Sequence, residues 1–109
     1  MLNYLKEEIT EFSEKQFGPR TDCRGPLNHL KEEIMELISA IEEGNRDHWS
    51  EQEEWADCLL LLLDAFRIRY GNDTSYNKLL HFALIKLDEI KQREWESVPD
   101  ENGVFKSKK

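Results

Sequence analysis

The sequence predicts an all-α protein, a bundle of four helices that forms one domain over residues 1–109. Three observations favour this fold. Apolar residues recur at helical spacing in four stretches. Only 3 prolines and 5 glycines interrupt the chain, and it lacks the runs of β-branched residues that are typical of strands. A domain of this length can bury one modest hydrophobic core.

The first helix is predicted over residues 3–16. Leu5, Ile9 and Phe12 recur along one of its faces, with acidic and basic residues between them. Gly18-Pro19 marks its end, because neither residue continues a helix readily.

The second helix is predicted to begin near Pro26, a residue that suits a first helical turn, and to stop at Gly44-Asn45. At roughly 100° per residue, its apolar residues form a core-facing stripe: Leu27, Leu30, Ile34, Leu37, Ile38 and Ile41. A separate, narrow stripe carries His29, Glu33, Glu36 and Ala40.

The third helix is predicted to open with a capping box, Ser50-x-x-Glu53. It has two stripes, the mainly apolar one being Trp55, Leu59, Leu62 and Phe66, and the mixed one Glu54, Asp57, Leu61, Asp64 and Ile68. Leucines at 59–63 wrap the helix completely, which is typical of a helix buried on every side. Because 109 residues can hardly cover such a helix, we expect a homo-oligomer whose interface uses this leucine run.

The fourth helix follows a turn at residues 71–74 and is predicted to run to about Trp95. Its apolar residues again recur at core spacing: Leu79, Leu80, Ala83, Leu84, Leu87 and Ile90. Residues 98–109 contain Pro99, Gly103 and a basic end, so we expect a loosely packed tail.

The charge balance narrows the classes of partner. The formal net charge is -8, which argues against non-specific binding to nucleic acid or to an anionic membrane. An anionic substrate would then need a cation to bridge it to the protein. The start of the chain does not resemble a signal peptide, and the leucine run is too short to span a bilayer. With 2 cysteines that lack metal-binding spacing, the composition fits a cytoplasmic protein.

Two pairs of acids carry the chemical hypothesis: Glu33 with Glu36 on the second helix, and Glu54 with Asp57 on the third. The i, i+3 spacing places both members of a pair on one side of their helix. Four carboxylates from two facing helices can hold a hard cation, and all-oxygen ligation favours Mg²⁺ or Mn²⁺ over zinc. Spacing alone leaves open a second interpretation, in which these acids form a solvated or ion-paired face.

Five more polar residues are candidates for substrate contact. Arg20 lies in the predicted loop 17–25 and either clamps phosphate or balances surface charge. His29 either contacts a nucleotide or a phosphate group, or it is a partly exposed histidine. Lys86 and Arg93 either anchor phosphates or pair with acids of their own helix, and Asp64 is a further acid among the leucines.

Glu33-x-x-Glu36 followed by Glu54-x-x-Asp57 looks like the ExxE…ExxD signature of the all-α nucleoside triphosphate pyrophosphohydrolases, the MazG-like group. The surrounding sequence most resembles the dATP/dGTP diphosphohydrolase family of bacteria and phages, including MazZ-type enzymes. The similar segments run over residues 17–103: Phe17-Gly18-Pro19-Arg20-Thr21, Gly25-x-Leu27-x-His29-Leu30, Lys31-Glu32-Glu33, Glu54-Trp55-Ala56-Asp57, Leu63-Asp64, Lys86, Arg93-x-Trp95 and Pro99-Asp100-x-x-Gly103.

The resemblance implies a MazG-like helical bundle that forms dimers or tetramers and binds Mg²⁺ or Mn²⁺ through the two acid pairs. It implies hydrolysis of a deoxynucleoside triphosphate, dGTP or dATP, to the monophosphate and pyrophosphate. Lys86 and Arg93 match positions expected to face the phosphates. Glu36 is the expected proton acceptor for the attacking water, because its angle sets it furthest from the core stripe of its helix.

Two other hypotheses stay open. The chain could be a non-enzymatic helical module that presents an acidic face to a basic partner, or an enzyme of the same fold that acts on pyrimidine nucleotides. Binding of divalent cations would distinguish an enzyme from the non-enzymatic module. Hydrolysis of a panel of nucleotides would distinguish a purine from a pyrimidine substrate.

Overall fold

The structure, a computed structural model, describes residues 1–44 and 48–108. Over these residues it contains four α-helices and, apart from one isolated bridge, no β-structure. The helices are α1 (Leu2–Phe17), α2 (Arg24–Glu43), α3 (His48–Tyr70) and α4 (Tyr76–Lys91). The all-α prediction is confirmed. None of these helices combines the length and the apolar character that a membrane crossing requires.

Glycines at positive φ end the first two helices, as predicted. Gly18 follows α1 with a φ of 76°, and its N–H donates to the carbonyl oxygen of Glu14 at 2.9 Å. Gly44 follows α2 with φ 67° and ψ 13°, and its N–H donates to the carbonyl oxygen of Ala40. Residues with a Cβ rarely adopt these angles. Asn45, which the prediction joined to Gly44, lies outside the described residues.

Two predicted helix boundaries are wrong. Ser50 does not cap α3, because the helix includes His48 and continues through Ser50. α4 ends at Lys91 rather than near Trp95. The chain turns at that point, where the indole Nε1 of Trp95 donates to the carbonyl oxygen of Ile90 at 3.2 Å.

The segment after α4 turns back on itself through backbone hydrogen bonds, and its side chains are mostly exposed. The loose packing expected of residues 98–109 stays a prediction. The N–H of Glu96 donates to the carbonyl oxygen of Lys106 at 2.8 Å. Asp100 holds the turn between them, because its Oδ1 accepts hydrogen bonds from the N–H groups of Asn102 and Val104, both at 2.9 Å. A short side chain that bonds to the following backbone is a common way to fix such a turn.

Internal contacts divide the chain into two compact units, residues 1–76 and the segment from Asn77 onward. In the first unit, α3 packs mainly against α2 and less extensively against α1. The second unit contains most of α4 and the turn that follows it. The prediction of one domain over residues 1–109 stays a prediction.

The face of α2 that is buried within the chain differs from the predicted core stripe. Leu37 and Ala40 are each only 6% exposed, whereas Ile34, Ile38 and Ile41 of the predicted stripe are about half exposed. The prediction is therefore wrong for most of that stripe. The reason is that α2 is apolar over more of its circumference than one neighbouring helix can cover.

In α3, too, the face buried within the chain differs from the predicted one, and we call this difference an exchange of faces. Asp64 and Ile68, from the stripe that carries the acids, are buried. Trp55 and Leu59, from the main apolar stripe, are 57% and 51% exposed. Within the single chain, the leucine run is fully buried only at Leu63. The two helices thus bury part of their acid-bearing sides and leave many apolar side chains exposed.

Candidate active site

The two acid pairs lie on α2 and α3, the two helices that pack against each other most extensively. Glu33 and Glu54 are partly buried, whereas Glu36 and Asp57 are exposed. The negative charges of Glu36, on the same helix, and of Asp57, on the other, both act on Glu33. Acids of both motifs therefore share one electrostatic neighbourhood, and their assignment as cation ligands stays a prediction.

Glu33 lies at the centre of this group. Burial raises the pKa of its carboxyl, and the charges of Glu36 and Asp57 raise it further. His29 opposes the shift, with its Nε2 atom 3.3 Å from Oε1 of Glu33. The raised pKa shows that nearby cationic groups do not fully offset the negative charge of the acids. A carboxyl in such an environment is a candidate for a functional site.

Cys58 reports the same field from α3. Burial raises the pKa of its thiol, and the negative charges of Glu33, Asp57 and Glu54 raise it further. These charges connect Glu54 to the same neighbourhood as Glu33. They also keep Cys58 protonated, and a protonated thiol is a poor metal ligand.

The chemistry of these donors fits a hard divalent cation. The four acids of the motifs offer only carboxylate oxygens, which Mg²⁺ and Mn²⁺ prefer. Within residues 1–44 and 48–108, no group of three or more His, Cys, Asp or Glu side chains is already arranged to hold a metal ion. The ligand type therefore suits the predicted cation. The four acids share an electrostatic environment, but they are not arranged in a coordination geometry.

Arg20 and Asp64, both predicted to contact substrate, are bound to each other. Nη2 of Arg20 donates to Oδ2 of Asp64 at 2.7 Å and to the hydroxyl of Ser13 at 2.6 Å. The other oxygen of Asp64, Oδ1, accepts hydrogen bonds from Nε and Nη2 of Arg67 at 3.0 and 2.8 Å. This buried network joins α1, the loop after it and α3, so Asp64 holds Arg20 in place.

Two members of this network were missed in the sequence. Arg67 follows Asp64 at i+3, a spacing that favours ion pairing on a helix, and this signal could have been used. Ser13 gave no signal, because a lone serine between helical residues is ordinary. It is nevertheless only 2% exposed.

Lys86 and Arg93, in the second unit, share one partner. The Nζ of Lys86 lies 3.3 Å and the Nη2 of Arg93 2.9 Å from Oε1 of Glu89. The hydrogen bond from Arg93, followed by that from Lys86, lowers the pKa of the Glu89 carboxyl. Pairing along the helix, one of the two interpretations left open, is thus present, and phosphate binding by these residues stays a prediction.

A cavity of about 580 Å³ lies in the first unit between α1, the loop before α2, and α3. Small-molecule sites usually have volumes of roughly 300–1,000 Å³. Its walls are mainly apolar, with Leu5, Ile9, Phe12, Phe17, Leu60 and Leu61 among the lining residues. Arg20 and Asp64 also line it, and so does His29, which contacts Glu33. The cavity therefore reaches the acid pairs through His29 and Glu33.

Paired carboxylates on neighbouring helices, beside a cavity of small-molecule size, fit the all-α nucleoside triphosphate pyrophosphohydrolases as a class. Comparison with known protein families gives the particular one. The dATP/dGTP pyrophosphohydrolase family matches residues 5–106, so the chain belongs to this family and is a nucleoside triphosphate diphosphatase. The predicted resemblance is confirmed. No curated protein sequence and no solved structure matches the chain.

Proposed function

We propose that this enzyme hydrolyses purine deoxynucleoside triphosphates to the monophosphate and pyrophosphate in a reaction that needs Mg²⁺ or Mn²⁺. The observation that carries the proposal is the packing of α2 against α3, which places acids of both motifs in one electrostatic neighbourhood. There, burial and the charges of Glu36 and Asp57 raise the pKa of Glu33. A triphosphate would be repelled by this field. A divalent cation would invert it.

Glu33, Glu36, Glu54 and Asp57 would hold the cation. Bound there, it would supply positive charge for the phosphoryl oxygens and lower the pKa of a coordinated water. The cavity, which reaches Glu33 through His29, would hold the rest of the nucleotide. Holding that part would orient the triphosphate relative to the acids.

Glu36 is the proposed proton acceptor. It is exposed, whereas Glu33 is only 19% exposed and contacts His29. A solvent-accessible carboxylate at the edge of the acid group can take the proton of the water that attacks the α-phosphorus. Pyrophosphate then leaves as its bond to the α-phosphorus breaks. Binding of phosphate by Lys86 and Arg93, which belong to the second unit, is a separate proposal that the family resemblance suggests.

A homo-oligomer, a dimer or a tetramer, is the proposed active form. Each unit exposes large apolar side chains. In the first unit they lie on α2 and α3, and in the second unit α4 exposes Phe82 to 54% and Leu84 to 68%. Exposed apolar surface of this kind often marks an interaction site. Association would also cover Leu59 and Leu62, the exposed leucines of the run that do not line the cavity.

Glu54→Gln tests the assignment of the acids. Substituting even a residue that supports a metal ligand typically costs 10–100-fold, so loss of a ligand should lower kcat/KM for dGTP by at least about 100-fold. Glu53→Gln is the matched control, since Glu53 is the adjacent, exposed acid on α3 and should keep wild-type activity. Circular dichroism should show both variants folded. Near-full activity of Glu54→Gln would contradict the proposed site.

A further inference from the structure

We propose that the cavity beside the acid pairs holds the base of the nucleotide, and that Arg20 makes the enzyme prefer guanine to adenine. This inference rests on the proposed function, because it takes the triphosphate to lie on the acid pairs. It goes further by naming the residue that selects the base.

The position of the cavity fits the base end of a nucleotide. His29 belongs both to the cavity wall and to the acid group, since its Nε2 atom lies 3.3 Å from Oε1 of Glu33. With the phosphates at the acids, the sugar would pass His29 and the base would enter the cavity. A triphosphate could not take this place, because mainly apolar walls would remove its hydration without compensation.

The walls also suit a planar aromatic group. Phe12 and Phe17 line the cavity with their ring centroids 6.1 Å apart in an edge-to-face arrangement. Aromatic side chains stack on bases with little regard to sequence, so these rings would favour any base. Selectivity must therefore come from a polar group of the wall.

Arg20 is the polar group whose hydrogen bonding is incomplete. Its Nη2 is held by Asp64 and Ser13, and its Cζ lies 4.9 Å from the ring centroid of Phe17. Its Nε is buried and has no hydrogen-bond partner in the described part of the chain. The side chain as a whole is 28% exposed. An arginine carries five N–H donors and no acceptor. Because the side chain is partly exposed and lines the cavity, the exposed part of its guanidinium can donate to a ligand there.

An N–H donor of the Arg20 guanidinium distinguishes the two purines. Guanine presents the acceptors O6 and N7 along one edge, whereas adenine presents N7 and an amino donor at position 6. Arg20 would pair with O6 of guanine but would place donor against donor with adenine. Asp64 cannot compensate by accepting from the amino group, because Arg20, Ser13 and Arg67 occupy its oxygens. A site built to bond one group rejects an analogue that lacks it.

Glu8 is the other acid of the wall. It accepts a hydrogen bond from the hydroxyl of Tyr4 at 3.0 Å and is exposed. It therefore lies at the solvent side of the cavity, and Arg20, held by the buried network, is the better-ordered recognition group.

The wild-type enzyme provides a test that needs no substitution. Pyrophosphate release is measured with dGTP, dATP and dITP, whose hypoxanthine base keeps O6 and N7 but lacks the 2-amino group. The kcat/KM for dITP should stay close to that for dGTP, and dATP should be roughly 10-fold to 100-fold poorer, the range of one specific base contact. Turnover of dATP equal to or better than that of dGTP would overturn the proposal.

Arg20→Gln tests the residue itself, because glutamine can both accept from the amino group of adenine and donate to N7. The ratio of kcat/KM for dGTP to that for dATP should fall at least about tenfold. Arg24→Gln is the matched control on the same stretch of chain, since Arg24 is exposed and pairs with Asp22, and its ratio should equal that of the wild type. Damage to the fold would lower kcat/KM for both substrates together and leave their ratio unchanged.

An active Arg20→Gln enzyme with the wild-type ratio would overturn this inference and leave the proposed function intact. Failure of the folded, metal-supplied wild type to hydrolyse any purine nucleotide would overturn the proposed function itself. If Arg20→Gln does not fold, the comparison of dGTP, dITP and dATP in the wild type still decides whether position 6 of the base is read.

Discussion

Glu33 occupies an environment that disfavours its ionised form. Its carboxylate is mostly buried, lies near the negative charges of Glu36 and Asp57, and has His29 as its contact. A carboxyl whose pKa is higher in the folded than in the unfolded state binds more protons when folded. The free energy of unfolding of the metal-free protein therefore falls as pH rises from the unfolded pKa through the raised folded pKa.

Glu33→Gln should remove this pH dependence, because glutamine does not titrate. Above that window the metal-free variant should melt a few degrees higher than the wild type, and Mg²⁺ should raise the melting temperature of the wild type but not of the variant. Thermal melts between about pH 4 and 8, with Mg²⁺ or with a chelator, measure both effects. Glu32→Gln, at the exposed neighbouring position, should behave as the wild type. Equal stabilisation of both proteins by Mg²⁺ would contradict the account of Glu33.

At the scale of elements, the contact between α1 and α3 depends on a buried ion network. Asp64 and Arg67 are 9% and 4% exposed, and Ser13 of α1 donates to Asp64 at 3.2 Å. Removing one partner of a buried ion pair leaves the other charge without compensation. The exposed pair between Asp22 and Arg24 has a similar N–O distance of 2.7 Å but loses little when it is broken, since water replaces the lost contact.

Asp64→Ala should therefore lower the free energy of unfolding by about 3–5 kcal/mol, whereas Asp22→Ala should leave it nearly unchanged. Urea unfolding of the two variants beside the wild type measures the difference. Equal, small losses in both variants would show that the network does not hold α1 against α3.

The elements themselves were predictable from the sequence, but the orientation of two of them was not. Helical spacing and the stop at Gly44 gave α2 nearly its observed extent. Periodicity shows that a face is apolar and cannot show what covers it, so the stripe with Ile34 and Ile38 was wrongly placed in the core of the chain. The acid pairs were found because each lies within four residues. The cavity was not, because Phe12 and Leu60 come from distant parts of the sequence.

At the scale of the whole molecule, the exchange of faces in α2 and α3 accounts for both the site and the apolar exterior. Burying part of each acid-bearing side places carboxylates of both motifs in one electrostatic neighbourhood. It also leaves Ile38 and Leu59 each 51% exposed. Association of chains through these faces would bury that surface. Each Å² of apolar area buried would contribute roughly 25 cal/mol of stabilising free energy.

Ile38→Glu should weaken or abolish the oligomer, because a charge would have to be buried in an apolar contact. Sedimentation velocity at micromolar concentration should show an oligomer for the wild type and a lighter species for the variant. Asn28→Glu introduces the same charge at an exposed polar position of α2 and should sediment as the wild type. A monomeric wild type would contradict the proposed assembly.

The central claim is that the two acid pairs support cation-dependent hydrolysis of purine deoxynucleoside triphosphates. Pyrophosphate release from each common dNTP and NTP, with Mg²⁺, with Mn²⁺ and with a chelator, tests it most directly. We predict rapid release from dGTP or dATP that the chelator abolishes. Release that ignores the chelator, or that occurs mainly with pyrimidine nucleotides, would contradict this account. No release from any nucleotide by the folded, metal-supplied protein would favour the acidic interaction module instead.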